Sequence, residues 1–149
     1  MSDTVILPPT RRARRGDALI PPLLIVPLVI YNVVAFAFYG GQAAPWATTV
    51  FSVPMVSHAV WGVSWGDIML AAGLLFLFFE VIKSTRSTRA SIVEHMLSTL
   101  VFVIFLIEFL LVGAAASSTF FLLMVMSLVD LVAGFSVSIS SAGRDVNMN

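Results

Sequence analysis

The stretch SIVEHMLSTLVFVIFLIEFLLVGAAASSTFFLLMVMSLVDLVAGFSVSISS, residues 91–141, decides the fold. It holds two apolar runs, 92–113 and 120–140, joined by Ala114-Ala115-Ala116-Ser117-Ser118-Thr119. A bilayer core of about 30 Å needs roughly 20 apolar helical residues, and each run has that length. So short a connection makes the runs antiparallel neighbours. Each run carries one acid, Glu108 in the first and Asp130 in the second. The pattern predicts a transmembrane helical hairpin with two ionisable groups where water is scarce.

The whole chain agrees with a lipid setting. Of its 149 residues 59% are apolar and 11% charged, and the mean hydropathy is +1.02. Soluble domains carry about 25% charged residues and could not cover this much apolar surface. Cysteine is absent and histidine occurs twice. That excludes disulfides, thiol catalysis, thiolate metal sites and a histidine cage.

Working outward from the hairpin, Ser91 and Glu94 have the spacing of a capping box at the start of the third helix. The polar residues 83–89 precede it as a turn. Residues 66–82 form a second span, in which Gly66, Gly73 and Glu80 recur every seven residues and share a face suited to close helix contact. Residues 19–39 form the first span. Pro21 and Pro22 belong to its first turn, Pro27 bends it one turn in, and Gly40-Gly41 ends it. Between the first two spans, residues 42–65 are apolar but interrupted by Pro45, Pro54 and Gly62. They are expected to be an interfacial helix or cap, or a shallow re-entrant loop if protein covers its backbone, with Trp46, Trp61 and Trp65 at the headgroup level. In a helix, His58, Trp61 and Trp65 would share one face.

The expected fold is an all-α integral membrane protein: four transmembrane helices in an up-down bundle, with an extracytoplasmic interfacial segment between helices 1 and 2. Residues 1–18 form a flexible basic tail, 19–141 the four-helix domain with spans at about 19–39, 66–82, 92–113 and 120–140, and 142–149 a second tail. All eight Lys and Arg lie in the N-terminal tail, the 83–89 turn or the C-terminal tail. Four spans put these segments on one side, and the positive-inside rule makes that side cytoplasmic. Arg11, Arg12, Arg14 and Arg15 are then placed for contact with lipid headgroups.

Counting depth at about 1.5 Å per residue puts Asp130 about 17 Å from the cytoplasmic end, level with Asn32 and near the midplane. Glu108 falls about 10 Å farther out, so the two acids are separate sites. Ser127, Asp130, Gly134, Ser138 and Ser141 form one narrow stripe on the fourth helix; Glu94, Ser98, Val101, Phe105 and Glu108 share a face of the third. A desolvated carboxyl with no basic residue at its depth favours its neutral form. Asp130 is therefore expected to donate a hydrogen bond to Asn32 or a carbonyl. The candidate polar site comprises Asp130, Asn32, Ser127 and Glu108. Glu80, Glu94 and His95 form a second cluster near the cytoplasmic surface, where interfacial ion pairs suffice to explain them.

No enzyme signature is present: the chain lacks a phosphate-binding glycine loop, a paired His-Glu metal motif and a nucleophile elbow. No catalytic residue, cofactor, metal or nucleic-acid partner is expected. The sequence is read as a small non-enzymatic cell-membrane protein, an accessory or scaffold subunit or a homo-oligomer. Its partners are the bilayer and, through the Ser127/Asp130/Gly134/Ser138 face, another membrane protein or a second copy. The alternative is a proton- or cation-coupled transporter or channel using Asp130 and Glu108.

Overall fold

The computed structural model describes residues 21–42, 45–84 and 91–146. The tail with Arg11, Arg12, Arg14 and Arg15, the segment with Arg86 and Arg89, and residues 147–149 lie outside the described residues, as do the side chains of Ser138, Ser141 and Arg144. The described chain is mostly helical. Helix α1 (Ile25–Asn32) continues as a π-helical segment (Val33–Phe38). Strands β1 (Thr49–Pro54) and β2 (Val60–Ser64) follow, then α2 (Trp65–Ser84), α3 (Ser91–Leu111), a 3-10 turn (Gly113–Ala115) and α4 (Ser118–Val146). Among the described residues, three helical segments are long and apolar enough to cross a membrane: Trp65–Ser84, Val93–Leu111 and Ser118–Val137.

Helix α4 is the axis of the bundle. It runs antiparallel to α3, with Phe105 and Phe120 in ring contact at 5.2 Å and Gly134 against the His95 imidazole. It runs parallel to α2: Gly66 lies against Thr119, and Gly73 against Leu123 and Met126. The buried residues of α2 are Gly66, Met69, Gly73 and Glu80, so the seven-residue repeat does mark its inner face. On α3 the buried Ser98, Val101 and Phe105 likewise lie on the face that ends at Glu108. Leu74, Leu75, Phe78, Leu110 and Val132 point outward and exposed. In hydrocarbon such a surface costs nothing; in water it would drive association.

The first helix is shorter than expected. Eight α-helical and six π-helical residues replace the span predicted over 19–39. Because the helix starts at Ile25, Pro27 falls in its first turn, where a missing N–H breaks no intrahelical bond, and it does not act as a bend one turn in. Gly40 and Gly41 adopt φ of 59° and 81°. The Gly41 N–H donates to the Ala35 carbonyl at 2.9 Å, closing the helix end where the glycines were expected to do so. The Leu23 N–H donates to Glu80 near the end of α2, and Tyr31 reaches the α3–α4 turn, so α1 runs opposite to α2.

Residues 42–65 are not an interfacial helix. Instead β1 and β2 pair antiparallel, with Val53 opposite Trp61 and Ser52 opposite Gly62. Phe51, Val53, Trp61 and Val63 line one face, the period of two that β-branched and aromatic residues favour. His58 sits in the connecting turn at φ 65°, not on a face shared with Trp61 and Trp65. The hairpin returns the chain to Trp65, whose N–H donates to the Thr48 carbonyl at 3.2 Å, and α2 begins.

Gly66 marks the tightest backbone approach. A methyl group there would lie 2.6 Å from Thr119 Oγ1 and 3.0 Å from the Trp46 carbonyl oxygen. Gly66→Ala should therefore destabilise the protein by about 1–3 kcal/mol. Thermal unfolding in mild detergent should show a lowered midpoint, whereas Gly113→Ala, whose added methyl meets nothing within 4 Å, should leave it unchanged.

Candidate functional site

Polar side chains inside the bundle gather at two levels. At the level of the α3–α4 turn, the Tyr31 hydroxyl donates to the Ala114 carbonyl at 2.8 Å and lies 2.8 Å from Ser117 Oγ. Ser117 also caps α4, accepting from the Phe120 N–H at 3.1 Å. The Tyr31 ring stacks on Trp46 at 4.6 Å and meets the edge of Phe120 at 4.7 Å. Beside it, Asn32 Nδ2 donates to Glu108 Oε2 at 2.7 Å and back to the Leu28 carbonyl at 3.1 Å.

At the level of the end of α2, Glu80 is 3% exposed. Its carboxylate accepts from the Leu23 N–H and pairs with Lys83 Nζ at 2.9 Å. Asp130 is 6% exposed and accepts a hydrogen bond from the Ser98 hydroxyl. Glu80, Lys83, Ser84, Glu94, His95, Ser98, Asp130 and Gly134 together line a cavity of about 10 Å³. One water molecule needs at least about 10–15 Å³, so this space suits a single water at most and excludes a hydrated cation. Among the described residues no three His, Cys, Asp or Glu side chains are grouped to hold a metal ion.

Asp130 therefore stands with the Glu80, Glu94 and His95 cluster and not with Asn32, and its partner is Ser98. The expectation that no basic residue reaches its depth also fails, because Lys83 and His95 line the same cavity. Depth counting erred because it assumed common helix ends. Leu23, not residue 19, is level with Glu80, so Asn32 stands about one turn nearer that end than the count gave, roughly 14 Å from Leu23 and at the height of Glu108. Asp130 faces Ser98 and Gly134 faces His95, so α4 overshoots the start of α3 by about two turns. The two acids do remain separate. Ser98 and Glu108 are about 15 Å apart along α3, and Val101, Phe105, Phe120 and Leu123 fill the interval, each no more than 4% exposed.

Ser127 is 1% exposed, and Asp130 and Gly134 are buried as well, so this part of the α4 stripe packs within the chain; the side chains of Ser138 and Ser141 lie outside the described residues. Tyr31, Ser98, Lys83 and the Ala114 carbonyl were not among the candidate site residues read from the sequence. Ser98 carried a signal in its place on the Glu94–Glu108 face. Lys83 carried one too, three residues after Glu80. Nothing in the sequence marks the Ala114 carbonyl as an acceptor. Comparison with protein-family models, with curated proteins and with solved structures yields no match to this chain.

The pairing is open to a double-mutant cycle. Asn32→Ala combined with Glu108→Ala should show a coupling of about 0.5–2 kcal/mol in detergent unfolding, the range of interhelical hydrogen bonds. Asn32→Ala combined with Asp130→Ala should be additive.

Proposed function

We propose that this chain is a multi-pass membrane protein with both termini in the cytoplasm, and that its role is non-enzymatic: an accessory or scaffold subunit of a larger membrane assembly, or a homo-oligomer. The short first helix joins the three longer ones as the fourth crossing. The confinement of every Lys and Arg to three segments supports the orientation. Partners would be met through the exposed apolar flanks of α2, α3 and α4, since Ser127 and Asp130 are turned inward.

One observation carries the reading. The intramembrane polar groups answer one another, Asn32 to Glu108, Ser98 to Asp130 and Lys83 to Glu80, and a dry apolar layer separates the two levels. A proton or cation pathway needs polar groups or water in continuous succession, and Val101, Phe105, Phe120 and Leu123 interrupt it. Polar contacts of this kind serve helix pairing.

Reconstituted vesicles under a pH gradient and membrane potential should show no proton or cation flux above protein-free vesicles. Asp130→Asn, which keeps size and hydrogen bonding, should purify from mild detergent with the same oligomeric size and the same co-purifying partner as wild type. Flux from wild type that Asp130→Asn abolishes with the fold intact would overturn the proposal in favour of ion-coupled transport.

A further inference from the structure

A cavity of about 550 Å³ opens between the end of the first helix and the start of α2, lined by Val34, Phe38, Tyr39, Pro45, Trp46 and Trp65. Its size falls within the roughly 300–1,000 Å³ of small-molecule sites. Four of the six lining residues are aromatic, and they include two of the three tryptophans and one of the two tyrosines of the chain. The other tyrosine, Tyr31, stacks behind Trp46. An acyl chain would be served as well anywhere on the aliphatic flanks of the bundle. Concentrating tryptophan and tyrosine at one cavity supplies something else, electron-rich ring faces.

The back wall is preorganised. Trp46 is 8% exposed and near-parallel to Tyr31, at an interplanar angle of 17°. Tyr31 is in turn anchored to Ala114 and Ser117, and the Trp46 carbonyl accepts from the Gly66 N–H at 2.8 Å. The Trp46 Nε1–H is buried and makes no hydrogen bond of good geometry, although it lies near enough to the Tyr31 hydroxyl to act on it. The indole is held by its ring contact with Tyr31. On the opposite side the π-helical segment brings Val34 and Phe38 to the wall, and Gly40-Gly41 turn the chain directly after Tyr39.

Charge completes the specification. No lining residue carries a formal charge, and residues 42–82 contain no Lys or Arg. The nearest charge in sequence is the acid Asp67, two residues after Trp65, with its carboxylate accepting from the Ser64 N–H and hydroxyl at 2.8 and 2.7 Å. Nothing here would neutralise an anion. Aromatic walls without a competing cation are the means by which proteins hold quaternary ammonium groups.

From this we infer that the cavity binds the quaternary ammonium group of an organic cation, supplied by a choline lipid headgroup or by a free amphiphilic ion. The test uses the full chain in maltoside detergent, titrated with benzyltrimethylammonium while tryptophan fluorescence is followed. A saturable change is expected, with neopentylbenzene, the uncharged carbon isostere, giving none. Trp65→Leu and Phe38→Leu alter side chains that are 52% and 75% exposed and so leave the core intact. Each should weaken binding roughly 5- to 30-fold, while Trp61→Leu, outside the cavity, should not. Displacement by dihexanoylphosphatidylcholine but not by dihexanoylphosphatidylglycerol identifies the lipid headgroup as the source; retention against both identifies the free ion. Equal binding of neopentylbenzene, an unsaturable response, or wild-type affinity in both cavity variants would overturn the inference.

Discussion

Where water is excluded, a polar group must find its partner inside the protein, and that constraint sets the position of the first helix. It is the shortest of the helical runs and has the least apolar surface with which to hold itself in place. Three polar contacts do so instead. The Leu23 N–H, ahead of the helix, meets Glu80 and fixes how far the helix slides along its axis. Tyr31 and Asn32 are consecutive, so their side chains diverge by about 100°. One reaches the α3–α4 turn and the other reaches Glu108, and together they fix the rotation of the helix.

The remaining helices are held mainly by shape. Glycines stand at three heights where α4 meets its neighbours: Gly66 under Thr119, Gly73 under Leu123 and Met126, and Gly134 under His95. In hydrocarbon the burial of apolar side chains drives little association, so close backbone approach supplies the contact. The acids fit this scheme as fasteners. Glu80 ties α1 to α2, Glu108 ties α1 to α3, and Asp130 ties α4 to α3. Each acid joins two elements.

Much of this arrangement is legible in the sequence. Run length alone identifies the three long helices, because a hydrophobic run that long has few other uses. The heptad of Gly66, Gly73 and Glu80 and the α3 face of Glu94 to Glu108 also read correctly, since helical periodicity maps sequence spacing onto one side of a cylinder. The 42–65 segment did not. Its alternation, Phe51 and Val53 opposite Trp61 and Val63, is short and interrupted by proline and glycine, and general apolarity masked it. The grouping of polar residues was misread for a different reason. Depth along a helix is a one-dimensional quantity, and comparing depths between helices requires their relative offsets. Those offsets come from contacts such as Leu23 with Glu80 and Gly134 with His95, which no spacing rule contains.

The brevity of the first helix has a consequence for the membrane around it. Eight α-helical and six π-helical residues cover only about 20 Å, against a hydrocarbon thickness of about 30 Å. Directly beyond that helix stands an uncharged hairpin with Phe51, Met55, Val56 and Trp61 exposed. Its open strand edges need hydration or a partner, which keeps it out of the hydrocarbon interior. A bilayer around such a bundle would have to thin beside the first helix and not beside the three longer ones. One-sided mismatch of that kind would make bilayer thickness a variable to which the bundle responds.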